Sequence, residues 1–325
     1  MIVAITGATG AIGKRLLEQH LAAGDTVRAL SRRERARLPS VVQVHRGDLA
    51  SENDVLARFA DGADVLYHCA AEIFDAARMM AVNAEGTRNL VSAAAGRVGR
   101  WVQLSSIAVY GAPERGVIDE ATPLAPIDVY GESKAQAERA VLDAAEHGSF
   151  SCAVIRPSKV FGAGVASGNN QVLYRLFSLV DQRLFFFIGK PGALTHYVHA
   201  ANLVAALVRA GRATLAGTRL YNLSDDRTIE YFVDVIADAL GEPAPRLRLP
   251  EAPVRLAARV LGRLPGFPLD ERRVAALVNR AAFPSERIRQ DLGYAPVVAL
   301  EQGLRDLVLE WRGRGTGARP QHRGA

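Results

Sequence analysis

The sequence predicts an α/β fold, a doubly wound parallel sheet followed by a smaller, mostly helical lobe. Three observations carry this. Residues 2–13, I-V-A-I-T-G-A-T-G-A-I-G, pass from a short apolar strand through a glycine-rich turn into a helix. Strand-like and helix-like segments then alternate along the chain, the pattern of a parallel sheet with crossover helices. With 325 residues, 49% of them apolar and 23% charged, the chain has the length and composition to bury a large core.

In the opening stretch, residues 2–5 form the first strand and a helical run starts at Lys14. Gly7, Gly10 and Gly13 let the turn between them adopt positive φ and approach a bound group closely. The helix N-terminus offers free N–H groups and the positive end of its dipole, which suits a pyrophosphate. A strand, a glycine turn and a helix in that order form the context a dinucleotide site requires. Residues 26–30 (T-V-R-A-L) form a second strand. An acid at its end would hold the adenosine ribose 2′-hydroxyl. Ser31, Arg32 and Arg33 stand there instead, with no carboxylate to repel a 2′-phosphate and two guanidiniums to bind one. The expected cofactor is NADP rather than NAD. A solvated basic loop is the plain alternative, since Arg35 and Arg37 follow.

Residues 41–45 form a third strand, ended by Gly47, Asp48 and Leu49. A fourth covers 64–71 and closes with Ala70 and Ala71, small enough for a cofactor to pass over. Helical sequence surrounds Asn83, and residues 101–104 make a fifth strand. Further on, residues 172–180 form an apolar helix, 184–188 (L-F-F-F-I) an apolar patch, 221–223 a strand, and 229–240 a helix stopped by Gly241. Residues 250–282 read as helical with an interruption at 265–268, and residues 313–325 as a disordered tail. The cofactor domain is expected over 1–162 with 193–225 returning to it, and the substrate lobe over 163–192 and 226–312.

The chemistry concentrates after the fifth strand. Ser105-Ser106-Ile107-Ala108-Val109-Tyr110-Gly111 is followed, twenty residues past Tyr110, by Tyr130-Gly131-Glu132-Ser133-Lys134. Tyr130 and Lys134 are spaced i, i+4 and share a helix face. An ammonium beside a phenol favours the phenolate, so Lys134 is expected to lower the Tyr130 pKa. A phenol so tuned exchanges a proton with a substrate oxygen, and Ser106 hydrogen-bonds the same oxygen. The chain has 8 tyrosines and four lysines. Chance alone yields about 0.1 such Tyr-x-x-x-Lys pairs in a chain of this composition, so the motif takes its meaning from its context.

Taken together, T-G-A-T-G-A-I-G (6–13), G-D-L (47–49), H-C-A-A (68–71), N-A-E-G-T (83–87), S-S-I-A-V-Y-G (105–111), Y-G-E-S-K (130–134) and R-P-S-K-V-F-G (156–162) resemble the extended short-chain dehydrogenases/reductases. The likeness is to the epimerase/dehydratase and hydroxysteroid dehydrogenase branch, over about residues 1–310. It implies a Rossmann domain and a catalytic set of Ser106, Tyr130 and Lys134, with Lys134 also holding the nicotinamide ribose. It implies cofactor contacts at Gly7, Gly10, Ala11, Ile12, Gly13, Ser31, Arg32, Arg33, Asp48, Leu49, Ala70, Ala71, Asn83, Tyr130, Lys134 and Pro157. Arg156 and Pro157 would mark the passage from the last cofactor strand to the substrate region. Nucleotide-sugar dehydratases carry an Asp-Glu pair after the catalytic Ser or Thr. Here those slots hold Ile107 and Ala108, which cannot titrate, and this argues against dehydration.

The substrate is less legible. Gly168-Asn169-Asn170 resembles a segment that holds the diphosphate of a nucleotide sugar, although both asparagines would serve equally as helix caps. Asn169, Asn170 and His196 are the candidate substrate contacts. The epimerases usually carry an arginine where this chain has Thr195, and H-A-A-N-L around Asn202 looks equally like the hydroxysteroid branch. The first expectation is 4-epimerisation or 4-keto reduction of a nucleotide-linked sugar. The second is a hydroxysteroid- or flavanol-type ketone reductase, and the third a non-catalytic NADP-sensing regulator, a class that typically loses the Tyr/Lys pair.

Net charge is +6, but residues 312–325 hold four arginines and no acid, leaving +2 for the body, which argues against a nucleic-acid partner. No apolar run reaches membrane-spanning length, and the strand at residue 2 leaves no room for a leader, so the sequence reads as cytoplasmic and without a membrane partner. Cys69 and Cys152 sit in apolar runs and read as reduced core thiols. No cluster suggests a metal, and a packed histidine is the plainer reading of His196 and His199. A homodimer is compatible with the sequence and not specified by it.

Overall fold

A computed structural model describes residues 1–33, 38–50, 54–165, 168–214, 217–261 and 270–315. Arg35 and Arg37, the interruption at 265–268 and residues 316–325 of the expected tail lie outside the described residues. The first half alternates β1 (Ile2–Thr6), α1 (Ala11–Ala22), β2 (Thr26–Ser31), β3 (Gln43–Arg46), α2 (Asp54–Ala60), β4 (Ala63–His68), α3 (Ala76–Met79), a π-helical turn (Met80–Glu85), α4 (Gly86–Ala94) and β5 (Val98–Leu104). After a 3-10 turn (Ile107–Tyr110) come β6 (Arg115–Val117), α5 (Val129–Glu146), β7 (Ser151–Pro157), β8 (Lys159–Phe161), α6 (Gly168–Asp181), β9 (Phe187–Ile188) and β10 (Leu194–His199). The remainder is α7 (Ala200–Arg212), β11 (Thr218–Leu223), β12 (Asp225–Thr228), α8 (Ile229–Leu240), β13 (Arg248–Leu249), α9 (Glu251–Leu261), α10 (Glu271–Val278), β14 (Arg280–Ala282), α11 (Glu286–Leu292) and α12 (Leu300–Gly315).

Seven strands form the central sheet in the order β11-β7-β5-β4-β1-β2-β3, every pair parallel. The winding direction reverses between β1 and β4, and the carboxyl ends of strands around such a switch point open a crevice for ligands. β1 lies in the middle of the sheet and is covered on both faces, which is why its run is continuously apolar. Val3 and Ile5 pack with Leu16, Leu17 and the α7 residues Leu203 and Leu207. Ala4 faces the other way, with Phe59, Leu66, Leu90, Trp101 and Val141. The two-residue period of a strand assigns neighbours to opposite cores.

β7 ends at Pro157, and the chain then leaves the sheet. β8 pairs with β10 (Lys159 opposite Tyr197), and β10 pairs with β12, giving a separate three-stranded sheet. Of the segment expected to return at 193–225, β11 joins the central sheet and α7 packs against it, whereas β10 pairs elsewhere. A second core gathers Phe161, Leu173, Phe177, Phe185, Phe187, Tyr197, Phe232 and Leu304. The L-F-F-F-I stretch thus places Phe185, Phe187 and Ile188 inside, with Leu184 exposed.

Several boundaries differ from the sequence reading, three of them as follows. α1 begins at Ala11 rather than Lys14, because Gly10 takes an extended N-cap conformation and the next residues are already helical. β4 stops at His68, because the Ala70 N–H is drawn to Thr6 Oγ1 at 3.1 Å and the chain peels away. α12 continues through Gly315, past the expected start of the tail, and Arg314 pairs with Glu310 at 2.5 Å and lies over the Tyr174 ring.

Candidate active site

The β1–α1 turn is built for close approach. Gly7 has φ 69°, and a Cβ there would lie 2.7 Å from the Ala70 N. A Cβ on Gly13 would lie 2.2 Å from the Gly7 O, so the third glycine lets the helix pack onto the turn. Gly10 and Gly13 themselves keep negative φ, and only Gly7 uses the left-handed region. No side chain caps α1 and its first turn holds no acid, so the amides of Ala11, Ile12 and Gly13 stay unspent. The turn borders a cleft of about 240 Å³ lined among others by Ser31, Arg32, Arg33, Asp48, Leu49, Ala70 and Ala71. These features fit a dinucleotide: a cradle that any Cβ would fill, free amides at a helix start, and no carboxylate at the end of β2. A larger hollow of about 890 Å³ lies beside α1 and α7 and contains none of the predicted site residues.

The loop after β4 is held by a buried polar chain. Thr87 Oγ1 donates to the Asn83 carbonyl at 2.5 Å and so accepts from His68 Nε2 at 2.9 Å. His68 Nδ1 then accepts from Thr6 Oγ1 at 2.7 Å, and that oxygen takes the Ala70 N–H. Burial, with Lys134 nearby, pulls the His68 imidazole down to about 3, so it is neutral, as this pattern requires.

Ser106 follows β5 and caps the 3-10 turn, its Oγ accepting from the Ala108 N at 3.2 Å. α5 is capped by Asp128, whose carboxylate takes the Gly131 N–H at 2.7 Å. A Cβ on Gly131 would lie 2.6 Å from the Ala108 O, so this glycine lets α5 close on the turn that Ser106 caps. Tyr130 and Ser106 are hydrogen-bonded side chain to side chain. Lys134 lies buried one turn along, its Nζ donating to the Leu104 carbonyl at 2.7 Å.

The electrostatics differ from the expectation. Burial pushes the Tyr130 phenol above its ordinary value, the hydrogen bond from Ser106 opposes the rise, and the Asp128 carboxylate adds to it. Lys134 is not the group that lowers it, because its ammonium points at the end of β5. Burial in turn pulls the Lys134 amine down to about 8, against the opposing pull of Cys69 and Glu138. The arrangement presents a phenol and a hydroxyl side by side with a buried cation beneath. It can polarise and protonate a substrate oxygen.

Residues 3–224 match the model of the NAD-dependent epimerase/dehydratase family. The chain belongs to that family. Among its relatives, a 3 beta-hydroxysteroid dehydrogenase/Delta 5-->4-isomerase of Mycobacterium tuberculosis is 30% identical over 94% of this chain and 89% of its own length. A 4-hydroxy-2-methyl-3-oxo-4-farnesyl-3,4-dihydroquinoline-1-oxide ketoreductase of Stigmatella aurantiaca is 31% identical over 97% of this chain and 98% of its own. In fold, a UDP-glucuronic acid 4-epimerase of Bacillus cereus solved with NAD superposes with a TM-score of 0.73 at 17% identity, covering 97% and 99% of the two chains. The protein is an NAD(P)-dependent enzyme of the extended short-chain dehydrogenase/reductase type.

Within this enzyme the other predicted residues take varied positions. Pro157 ends β7 beside the Ser106 end of β5, since Leu104 pairs with Ile155. Asn83 is buried and its amide is consumed, taking the Glu72 N–H at 2.7 Å and donating to the Glu72 O and Ser133 Oγ at 2.9 and 3.0 Å. It reaches the cofactor site only through the loop and helix that it ties together. Asn170, a candidate substrate contact, braces the loop before α6: its amide takes the Gly162 N–H and donates to the Gly162 and Val165 carbonyls. Asn169 donates to the Val160 O at 3.1 Å and stays half-buried. His196, the third candidate, is packed among protein partners, with Nδ1 3.0 Å from Asp226 and Nε2 3.3 Å from Asn279. The motif reading missed Glu138, which accepts from Nε and Nη2 of Arg156. Its signal was available as Lys-x-x-x-Glu, the next helical turn after Tyr-x-x-x-Lys. No group of metal-ligating side chains and no membrane-crossing helix occurs among the described residues.

Proposed function

We propose that the enzyme transfers hydride between NADP(H) and a secondary alcohol or ketone on a bulky apolar substrate of the hydroxysteroid type. The observation that carries this reading is an apolar rim beside Tyr130. Ile73, Phe74, Leu124, Ile127 and Val129 are all exposed, Phe74 at 76% and Ile127 at 73%. Val129 precedes Tyr130 on α5, and residues 124–127 lead into that helix, with Ile127 packed near Gly111. Asn83 joins the Glu72 backbone to Ser133, which brings the Ile73–Phe74 loop to the same end of α5. Exposed apolar side chains gathered around the start of one helix mark a ligand surface rather than ordinary surface scatter. A nucleotide sugar would need polar anchors, and two of the three candidates named for it, Asn170 and His196, are bonded inside the protein. Two relatives at about this chain's full length act by name on a hydroxysteroid and on a farnesylated ring ketone.

The nicotinamide group supplies or accepts the hydride when bound. Tyr130 exchanges the proton at the substrate oxygen, Ser106 hydrogen-bonds that oxygen, and Lys134 supplies positive charge below them. The preference for NADP rests on Arg32 and Arg33, both exposed at the cleft beyond Ser31. The test is a turnover panel with NAD and NADP against a 3β-hydroxysteroid and against UDP-glucose. Oxidation of the steroid with NADP as the better cofactor supports the reading. Epimerisation of UDP-glucose without turnover of the steroid overturns it.

A further inference from the structure

Glu138 lies on α5 four residues beyond Lys134, on the same helical face, and is fully buried. Its carboxylate accepts from Arg156 Nη2 at 2.6 Å and from Arg156 Nε at 3.1 Å. The same carboxylate meets the Ser105 hydroxyl in a short contact. Arg156 Nη1 donates to Tyr110 Oη at 2.6 Å, and Tyr110 donates to Asn222 Oδ1 at 2.9 Å. Asn222 closes the chain by donating to the Ile118 carbonyl at 2.9 Å. A single polar line therefore runs from the catalytic helix across the ends of β5, β7 and β11. A buried charge is tolerated only when paired and hydrogen-bonded, and the Arg156 fork meets that condition for Glu138.

Such a line would be only structural if it ended away from the chemistry, but both of its active-site ends are catalytic neighbours. Ser105 directly precedes Ser106, and Glu138 is one turn from Lys134. The charges around Lys134 add a second argument. His68 and Cys69 face it from the end of β4, Tyr130 and Glu138 from its own helix, the Leu104 carbonyl from β5, and Arg156 from β7 behind Glu138. His68 is neutral, and burial pushes the Cys69 thiol up to about 12, so it too is neutral. Burial likewise keeps the Tyr130 phenol protonated. Glu138 is the one anion left facing the amine among the described residues.

We propose that Glu138 is a positioning residue of the hydride-transfer site: it locks the helix bearing Tyr130 and Lys134 to the strand end bearing Ser106, and it is the anion that keeps the Lys134 amine protonated. The inference rests on the reading of Lys134 as the cation of the catalytic set. Glu138→Gln keeps the shape and leaves Arg156 as an uncompensated cation behind Lys134, so the amine should release its proton at lower pH.

The test reads this without turnover. The chain has four lysines, so lysine-labelled protein, cofactor-free and loaded with NADP, resolves the Lys134 titration by NMR, with Lys134→Met for assignment. In Glu138→Gln the Lys134 midpoint should fall by about one pH unit, a tenfold loss of protonated amine at a given pH. In the loaded enzyme the alkaline limb of kcat should move with it while KM stays put. If Glu138→Gln does not fold, Glu138→Gln combined with Arg156→Met, which leaves no unpaired buried charge, is measured in its place, and the Lys134 midpoint should still fall, by less than about one pH unit because the neighbouring cation is gone as well. A folded variant whose Lys134 titrates as in the unmodified protein overturns the proposal, whatever its melting temperature. Loss of the catalytic reading itself would appear instead as an active Tyr130→Phe variant with the Lys134 shift intact.

Discussion

Two junctions in this molecule share a pattern and come to opposite ends. Both β1–α1 and β8–α6 run from a strand through a positive-φ glycine into a helix, Gly7 at φ 69° and Gly162 at φ 147°. At the first, α1 has no side-chain cap and its leading amides stay free. At the second, Asn170 gives both amide hydrogens to Gly162 and Val165 and takes the Gly162 N–H, while Asn169 bonds Val160. The first junction retains donors for a ligand, and the second spends them on its own backbone. Glycine and asparagine do not mark a site. Unspent hydrogen-bonding capacity at a strand's carboxyl end does.

The largest test of that contrast lies with Tyr130, whose phenol remains available beside Ser106. Tyr130→Phe keeps ring volume and should cost on the order of 10²–10⁴ in kcat, the usual worth of general acid–base catalysis, with NADPH affinity unchanged. Single-turnover rates check it, and Ser106→Ala should cost less. Lys134→Ala should lower both rate and cofactor affinity, by the same assay with a fluorescence titration.

The junctions themselves can be set against each other. Gly13→Val forces a Cβ to 2.2 Å from the Gly7 O and should weaken cofactor binding by more than about tenfold. Asn170→Ala should leave cofactor affinity intact and lower stability by about 1–3 kcal/mol, because the Gly162 and Val165 carbonyls lose their buried donor. Equal loss of affinity in both variants would break the comparison. Cofactor titrations and thermal melts read the two effects separately.

Tyr110 falls on the spent side as well. Its hydroxyl bridges Arg156 and Asn222, so Tyr110→Phe should cost about 1–3 kcal/mol in a thermal melt through the unsatisfied partners. The smallest effect is at the C-terminus. Ending the chain after Gly315 should leave the melting temperature unchanged. Ending it after Arg312 removes the exposed Arg314–Glu310 pair and should cost no more than about 0.5 kcal/mol.

Much of the fold was legible because its signals are contiguous. The continuous apolar run of β1, the glycine spacing after it and the i, i+4 pair Tyr130 and Lys134 each lie within a few residues, where strand period, φ and helical rise act directly. Sequence alone determined the doubly wound sheet, the glycine turn after β1 and the helical pairing of Tyr130 with Lys134. The tertiary structure decided their partners. The partners of His196 came from afar, since β12 brought Asp226 and the turn before β14 brought Asn279, 83 residues away, onto its two nitrogens. β10 left the main sheet because β8 stood ready to pair with it. Lys134 turned to the Leu104 carbonyl rather than to Tyr130, and Glu138 found Arg156. Hydrogen bonds and buried charges are satisfied by whichever group the fold brings near, and that distance is not written in the local sequence.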